Sequence, residues 1–349
     1  MEFMIYFDNA ASTMPRKESL DIFNQAASEH FSNPSALHKG GIEAEKVITA
    51  AREAILTKLP KNGSLLFTSG ATESNNIAII SSVKPHRKTK IVTTTIEHPS
   101  VSNAVGDDAA RVFPDIVLET VDENTAFVSM TAVCGETGFI VDTKRIYSEI
   151  KGRFPDCIVH VDGAQGFLKN VPIDADLISL SAHKIGGLPG IGGLFIKDIK
   201  NKIRLHPMLF GGGQQKGLRP GTQPTALIAA FGAATISEKT DKNPLYNRIV
   251  YGLNQLNLTV NSRNNVPDIV NFSCGVKSEV MLHFLAEHEI YVSSGSACAR
   301  GKKSQILPAY GIPGKDIDTA IRVSFGWQNT VDEVDTFLNV LEKGLKRWK

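Results

Sequence analysis

The sequence predicts an α/β protein with a large domain, in which a mostly parallel sheet lies between helix layers, and a smaller α+β domain. Short β-rich runs alternate with helical segments through roughly the first 200 of its 349 residues, a pattern typical of parallel strands joined by helices. After Gly221 the alternation gives way to mixed helices and strands. The length also favours two domains, because single cores rarely grow beyond roughly 250–300 residues.

Six runs in the first part are predicted to be strands. Runs such as IVTTT and CIVHV are apolar or β-branched on both faces, as expected of strands buried between helix layers. The predicted strands are Leu65–Thr68, Ile91–Thr95, Ala126–Met130, Cys157–Val161, Asp176–Leu180 and Gly193–Ile196, and the predicted helices are Arg16–Glu29, Gly41–Leu59 and Glu73–Ser82.

The polar stretch Glu238–Asn243 is the predicted hinge, which gives a large domain over residues 15–238 and a small domain over residues 1–14 and 239–349. A helix is predicted just before this hinge, over Pro224–Ser237. The elements predicted beyond it are helices at Leu245–Leu256, Ser278–His288 and Val331–Lys346, and strands near Ile269–Phe272, Ile290–Val292 and Ile321–Phe325.

Composition excludes several classes of protein. The net charge of +2 is too small to favour a nucleic acid or an anionic membrane surface as partner. We expect no membrane span, because no apolar run approaches roughly 18–20 residues, and the N-terminus lacks the features of a signal peptide. The four cysteines have irregular spacing without a CxxC pair. We therefore expect a cytoplasmic protein with free thiols and without a metal site.

The first candidate site segment is TSGATES, residues 68–74, which lies between a predicted strand and a predicted helix. Gly70 permits a tight turn there. The backbone N–H groups from Ala71 onward and the hydroxyl of Thr72 then lie at a helix N-terminus, which favours a phosphate. Taken alone, the segment is equally typical of an ordinary helix cap.

Two further segments place ionisable residues at strand ends. In VHVDGAQ, Asp162 ends a buried strand and Gln165 follows it; in SLSAHK, Lys184 follows another strand and precedes a glycine-rich loop. Ligands of such sheets bind at the carboxyl ends of the strands. A desolvated lysine suits Schiff-base chemistry. Taken singly, Asp162 is as well explained as a capping residue and Lys184 as a surface residue.

Together the three segments match the requirements of pyridoxal 5′-phosphate: a phosphate cradle, an acid for the pyridinium nitrogen and a lysine for the imine. The chain also resembles the cysteine desulfurases, in the class V aminotransferase family of fold-type I enzymes that use this cofactor. The resemblance lies in eight motifs in family order, FDNAAST, SNPSALH, SGATESNN, EHPSV, HVDGAQ, SAHK, RPGT and SSGSAC, spread from Tyr6 to about Gly326.

The resemblance implies a role for each matching residue. Lys184 would hold the cofactor covalently, Asp162 would pair with the pyridine nitrogen, Gln165 would bind the ring oxygen, and His98 would stack on the ring and assist proton transfer. Thr72, Ser181 and His183 would hold the phosphate. Thr222 would reach the phosphate of a neighbouring subunit, which implies a homodimer. Arg322 would bind the substrate carboxylate, a task that suits a bidentate guanidinium, and Asn33 would line the substrate pocket.

Cys298 determines the expected reaction. It lies in SSGSACARGKK, where small residues indicate an exposed loop and the nearby Arg300, Lys302 and Lys303 favour a thiolate. By the resemblance, this thiolate would take the sulfur of L-cysteine as a persulfide, release L-alanine and pass the sulfur to an acceptor protein. The alternative for Cys298 is an inert loop cysteine.

The chain departs from the family where typical members read Asn-Asn-Glu and it reads Cys134-Gly135-Glu136. The second Asn usually helps to hold the substrate carboxylate, and Gly135 has no side chain to do so. Cys134 is interpreted as a packing residue or, alternatively, a second active-site thiol. Other hypotheses are a selenocysteine lyase, a cysteine or cystine β-lyase, an aminotransferase, or a degenerate homologue that binds the cofactor in a scaffolding role.

Overall fold

The computed structural model describes residues 4–82, 90–197, 203, 205–294 and 304–348. The chain forms two compact units. The large unit comprises Met14–Ala132 and Val141–Glu238, and the small unit comprises Met1–Thr13, Val133–Ile140 and Lys239–Lys349. No helix in the described ranges is long and apolar enough to cross a membrane.

The described residues form strands and helices in the following order. The strands are β1 (Ile5–Tyr6), β2 (Gly63–Thr68), β3 (Lys90–Thr94), β4 (Ala110–Val112), β5 (Thr125–Thr131), β6 (Ile158–Asp162), β7 (Leu177–Ser181), β8 (Gly192–Lys197), β9 (Thr259–Val260), β10 (Ile269–Ser273), β11 (Ile290–Tyr291), β12 (Ser293–Ser294) and β13 (Ala320–Ser324). The helices are α1 (Lys17–Glu29), α2 (Lys39–Leu56), α3 (Ala71–Ser82), α4 (Pro99–Ser102), α5 (Val117–Thr120), α6 (Thr143–Arg153), α7 (Thr225–Ile236), α8 (Asn243–Gln255), α9 (Ser278–Ala286), α10 (Ile306–Ala309), α11 (Gly314–Ile317) and α12 (Val331–Trp348).

The large unit is built on a seven-stranded sheet with the order β2-β8-β7-β6-β5-β3-β4. The pairs from β7 through β4 are parallel, and β8 runs antiparallel to both of its neighbours. The sheet is therefore mostly parallel, as predicted. Because β6 and β7 are parallel neighbours, Asp162 and Ser181 lie at the same edge of the sheet, where ligands of such folds bind.

Buried polar groups bond across three of these strands. His160 of β6 lies between Ser129 of β5, 2.8 Å from its Nδ1, and Ser179 of β7, 2.9 Å from its Nε2. Burial lowers the pKa of His160 to about 4, so the imidazole is neutral. These bonds tie β5, β6 and β7 together and satisfy polar groups in an otherwise apolar interior.

The small unit contains an antiparallel sheet with the order β12-β13-β10-β9 and a separate parallel pair, β1 and β11. Phe7 joins the aromatic core of this unit, with ring centroids 5.4 Å from Phe325 and 5.9 Å from Phe337. This packing explains why the N-terminal segment belongs to the same unit as the C-terminal helix α12. The short segment Val133–Ile140, which contains Gly135, also belongs to this unit.

The predicted elements agree with the structure within a few residues at their ends. Sequence patterns missed the helix α6 and several short elements, which are β1, β4, β9, β12, α4, α5, α10 and α11. The helix α6 has a polar composition that weakens the helical pattern, although Asp142 caps it by accepting from the backbone N–H of Arg145 at 3.1 Å. Gln165 follows β6 in hydrogen-bonded turns and not in a regular helix.

Candidate active site

The N-terminus of α3 lies directly after β2. The helix begins at Ala71, and the backbone carbonyl of Gly70 accepts from the backbone N–H of Ser74 at 3.1 Å. A methyl group added to Gly70 would meet nothing within 4 Å, so the space beside this helix end is open. A methyl group on Gly192 would lie 2.6 Å from the Cα of Gly70. Glycine at 192 therefore lets the turn before α3 approach β8, which pairs with the end of β7.

Asp162 is the last residue of β6 and is 4% exposed. One carboxylate oxygen accepts from the side-chain amide of Asn75 at 2.8 Å, and the other accepts from the backbone N–H of Ala164 at 2.9 Å. Both donors are neutral, so they hold the carboxylate without compensating its charge.

Lys184 lies one short turn beyond the end of β7. Ser181 is buried, and Ala182–Lys184 form a turn of 3₁₀ helix that leaves His183 and Lys184 half-buried. Burial first, and then the Lys184 charge, lowers the pKa of His183 to about 4, so His183 is neutral near pH 7. Lys184 is close enough to lower the pKa of His98 as well.

His98 begins the short helix α4. Its Nδ1 accepts from the backbone N–H of Ser100 at 3.1 Å and lies 2.8 Å from the Ser100 hydroxyl. Desolvation by the surrounding protein is the largest cause that lowers the pKa of the ring. Asp162 opposes this effect and Lys184 adds to it. The ring is therefore neutral near pH 7 and lies within electrostatic range of both.

Two buried residues of this site were not predicted from the sequence. Asn75 is fully buried and joins Asp162 to Ser100. Glu97 is 4% exposed, and its Oε1 accepts from the backbone N–H of Thr131 at 2.7 Å and from the Thr94 hydroxyl. Burial, reinforced by the Asp162 charge, raises the pKa of Glu97 to about 8. Both residues stand inside quoted motifs, SGATESNN and EHPSV, so polar residues within buried segments were the available signal.

Other predicted residues of the large unit lie at its surface or in turns. Gln165 is buried and accepts from Lys169 at 3.0 Å through its side-chain oxygen. Asn33 is exposed, and its side chain accepts from the backbone N–H of Ser35 at 3.0 Å. Thr222 is also exposed.

The RPGT motif is tied to α3 by an ion pair. Arg219 donates to Glu73 at 3.0 Å, and the other Glu73 oxygen accepts from the backbone N–H of Ser69 at 2.6 Å. This contact attaches the segment that carries Thr222 to the first turn of the helix.

Arg322 lies on β13 of the small unit and is 4% exposed. Its guanidinium donates to the Asp8 carboxylate at 2.7 Å and to the backbone carbonyl of Gly135 at 2.9 Å. Its Nε is buried and has no hydrogen-bond partner in the part of the chain that the structure describes. Glu136, next to Gly135, accepts from the Ser304 hydroxyl at 2.6 Å. Burial raises the pKa of Glu136 to about 7, while Ser304 and the Arg322 charge act in the opposite direction.

Cys298 lies outside the described residues. The other three cysteines are buried and form no disulfide within the described part of the chain. Cys134 is fully buried and its pKa is raised by desolvation, which agrees with a packing residue and not with a thiolate. In the described ranges no cluster of His, Cys, Asp or Glu has the composition of a metal site.

These residues fit pyridoxal 5′-phosphate by the chemistry of their donors. The open helix N-terminus at Ala71 and Thr72 suits a phosphate, and the uncompensated Asp162 carboxylate suits a protonated pyridine nitrogen. Asn75 bonds the helix directly to Asp162, and Lys184 follows the adjacent strand. The large unit thus brings together the three predicted cofactor segments. Such a combination defines an enzyme of the pyridoxal-phosphate class.

Comparison with known proteins identifies the family. The aminotransferase class-V profile matches residues 5–337, so the chain belongs to the aminotransferase class-V family. The predicted family and cofactor class are confirmed.

Individual relatives match along nearly the whole chain. A NifS/IcsS protein homolog from Lactobacillus delbrueckii subsp. bulgaricus is 32% identical, with 97% of each chain covered. The cysteine desulfurase IscS of Buchnera aphidicola subsp. Baizongia pistaciae is 33% identical over 99% of this chain and 94% of its own. The solved structure of a NifS-like protein has a TM-score of 0.89 and 28% identity, covering 99% of this chain and all of the other. The fold-type I prediction is thereby confirmed.

Proposed function

We propose that this protein is a pyridoxal-phosphate-dependent cysteine desulfurase, which converts L-cysteine to L-alanine and carries the sulfur as a persulfide on Cys298. The observation that carries the proposal is the buried Asp162 carboxylate, which neutral donors hold at the strand end beside the Lys184 strand. The names of the relatives, NifS or IscS homologues and cysteine desulfurases, support the same reaction.

The cofactor supplies an electron sink for negative charge at the α-carbon of the bound amino acid. We assign its phosphate to the N-terminus of α3 at Ala71 and Thr72, with Ser181 and His183, and its ring nitrogen to Asp162. Gln165 and His98 contact the ring in this assignment. Lys184 would anchor the cofactor, and its amine would move the proton at the substrate α-carbon.

Cys298 performs the sulfur transfer. Its thiolate attacks the γ-sulfur of the bound cysteine, so a sulfur–sulfur bond forms while the substrate carbon–sulfur bond breaks. The electron pair of the broken bond stays with the three-carbon fragment, which takes up a proton and leaves as L-alanine. One thiol and one cysteine thus yield one persulfide and one alanine without an external oxidant. A reductant or an acceptor protein then removes the sulfur.

Substrate binding and assembly complete the proposal. Arg322 binds the substrate carboxylate and Asn33 lines the pocket. Thr222 bonds the phosphate held by a second copy of the chain, so the functional form is a homodimer. We place the enzyme in the cytoplasm, with a sulfur-acceptor protein as its partner.

The test is product analysis of the purified, cofactor-loaded protein with L-cysteine and a reductant. We expect L-alanine from the parent and none from Cys298→Ala. Cys274→Ala is the matched control, because that thiol is fully buried in the small unit and should leave alanine formation in place. Pyruvate and ammonia would indicate a β-lyase, an oxo acid would indicate an aminotransferase, and alanine from Cys298→Ala would exclude the persulfide step.

A further inference from the structure

A continuous chain of hydrogen bonds joins Asp162 to His98 within the large unit. The amide nitrogen of Asn75 lies 2.8 Å from the Asp162 carboxylate and 2.8 Å from the Ser100 hydroxyl oxygen. The same hydroxyl lies 2.8 Å from Nδ1 of His98, which also accepts from the backbone N–H of Ser100 at 3.1 Å. The chain thus connects the acid assigned to the ring nitrogen with the histidine assigned to the ring face.

The direction of each bond follows from the donors available. Asn75 must turn its NH₂ group toward Asp162, because its carbonyl oxygen there would face a carboxylate oxygen, and both only accept. The second amide hydrogen then goes to the Ser100 oxygen. Asn75 is fully buried, and its carbonyl oxygen has no hydrogen-bond partner among the described residues.

The same reasoning fixes the tautomer of His98. Because the Ser100 oxygen accepts from Asn75, its own hydrogen is free to point to Nδ1 of His98. The backbone N–H of Ser100 points to the same nitrogen. A ring nitrogen that accepts carries no hydrogen, so the single proton of the neutral imidazole is on Nε2.

We propose that Asn75 and Ser100 are positioning residues that lock His98 in the Nε2–H tautomer, so that His98 presents a hydrogen-bond donor, and not a base, to the bound amino acid. Basicity at Nε2 requires the Nδ1–H tautomer, which would set two N–H groups against each other at Ser100. The α-proton then falls to Lys184. This last assignment rests on the proposed function, whereas the tautomer itself does not.

The charged groups around His98 agree with a neutral ring. Desolvation lowers its pKa, Lys184 lowers it further, and Asp162 raises it. Protonation at Nδ1 would also break the bond from the Ser100 backbone. A lowered pKa favours the neutral ring, so the locked tautomer is the form expected near pH 7.

The experiment is ¹⁵N NMR of the holoenzyme labelled at histidine, in which two-bond couplings from the ring hydrogens report the protonated nitrogen. The His98 signals are assigned by their loss in His98→Gln. We expect one neutral tautomer with the hydrogen on Nε2. An Nδ1–H tautomer, or a mixture of the two, would overturn the proposal.

Ser100→Ala and Ser100→Thr form the matched pair of variants. Ser100→Ala removes the hydroxyl but keeps the backbone N–H, so a minor Nδ1–H population should appear beside the Nε2–H tautomer, and kcat/KM should fall about 2–10-fold, the effect of one lost hydrogen bond. Ser100→Thr keeps a hydroxyl and should restore the single tautomer. An unchanged His98 spectrum in Ser100→Ala would contradict the proposal. Because the spectrum is recorded without turnover, a locked tautomer in a protein that makes no alanine would count against the proposed function alone.

Discussion

The end of β6 and the middle of β13 each carry one buried charge, and the two are held in different ways. Asp162 accepts from two neutral N–H groups, which fix the carboxylate without compensating its charge. Arg322 instead donates to another charged group, Asp8, and to the carbonyl of Gly135. A charge held only by neutral donors is available to a charged ligand, whereas an ion-paired charge must be shared with one.

A buried glutamate lies near each of these charges, and the pKa values of the two glutamates show the same contrast. Glu97 has the like-charged Asp162 nearby, which adds to burial in raising its pKa to about 8. Glu136 has the opposite charge of Arg322 nearby, which works against burial and leaves its pKa at about 7. Glu97 therefore stays protonated near pH 7 and preserves a single negative charge beside the strand end, while Glu136 titrates close to neutrality.

Replacing the uncompensated charge should have the largest effect. Asp162→Asn keeps the shape and an acceptor oxygen but removes the charge that would pair with the ring nitrogen, so we expect alanine formation to fall about 100-fold or more. The absorbance of the bound cofactor should change as well. Asp176→Asn is the control, because Asp176 is also buried, directly before β7, but bonds Tyr147 and Lys151. Equal losses in both variants would indicate a purely structural role.

The ion-paired charge should give a smaller effect, confined to substrate binding. Arg322→Lys loses the fork geometry, and about 1.5–3 kcal/mol for a hydrogen bond to a charged group corresponds to a rise in KM of about 10–100-fold. We expect kcat to change much less. Steady-state kinetics with L-cysteine measure both, and a fall in kcat at constant KM would contradict the assignment of the carboxylate to Arg322.

Restoring the asparagine that typical family members have in place of Gly135 should lower KM, which is opposite to the effect of Arg322→Lys. Gly135→Asn adds an amide donor near Arg322, and we expect KM for L-cysteine to fall about 10-fold or more, as for one regained bond to a charged group. Gly138→Asn is the control, because Gly138 has a φ of 77° and an added Cβ would crowd Ile269. An increase in KM for Gly135→Asn would show that this chain selects a different substrate.

Arg322 donates to Asp8 and would also bind the substrate carboxylate, so removing the Asp8 charge should lower KM modestly. Asp8→Asn keeps an oxygen acceptor but removes the competing charge, so KM should fall about 2–5-fold, in the range of a partly exposed ion pair. If KM rises instead, Asp8 orients the guanidinium and does not compete with substrate.

The two raised pKa values predict the pH dependence of stability. Each folded-state pKa lies above the ordinary value of 4.5, so the folded state binds more protons than the unfolded state in that window. The free energy of unfolding therefore falls as pH rises. Glu97 causes this fall between pH 4.5 and about 8, and Glu136 between pH 4.5 and about 7. Glu97→Gln should flatten the curve over the wider window, and Glu136→Gln over the narrower one. Denaturant unfolding across this range measures both slopes, and unchanged slopes would mean that both acids are ionised.

The large unit was predictable from the sequence because the patterns that indicate its strands and helices are local. A buried β-rich run followed by Asp162 or Lys184 indicates a strand end, and parallel pairing then brings neighbouring strand ends to one edge. The three segments together indicated the cofactor, which no single segment specified, and the motif resemblance indicated the family. The site roles assigned to individual residues stay predictions.

Long-range contacts were not predictable in the same way. The bonds of Asn75 to Asp162 and of Arg322 to Asp8 join residues far apart in the chain, so no spacing rule encodes them. The segment Val133–Ile140 lies in sequence between two strands of the large unit, yet it belongs to the small unit. Hydrophobic periodicity carries no information about such an excursion, because the segment forms neither a helix nor a strand.

The most direct test of sulfur transfer to Cys298 is to locate the transferred sulfur. The cofactor-loaded protein is treated with one equivalent of L-cysteine without a reductant, and its cysteine-containing peptides are analysed by mass spectrometry. If Cys298 carries the sulfur, we expect its peptide to gain the mass of one sulfur atom, which a thiol reductant removes. The yield of L-alanine should be equal. Alanine without added sulfur on Cys298, or the added sulfur on another cysteine, would contradict sulfur transfer to Cys298.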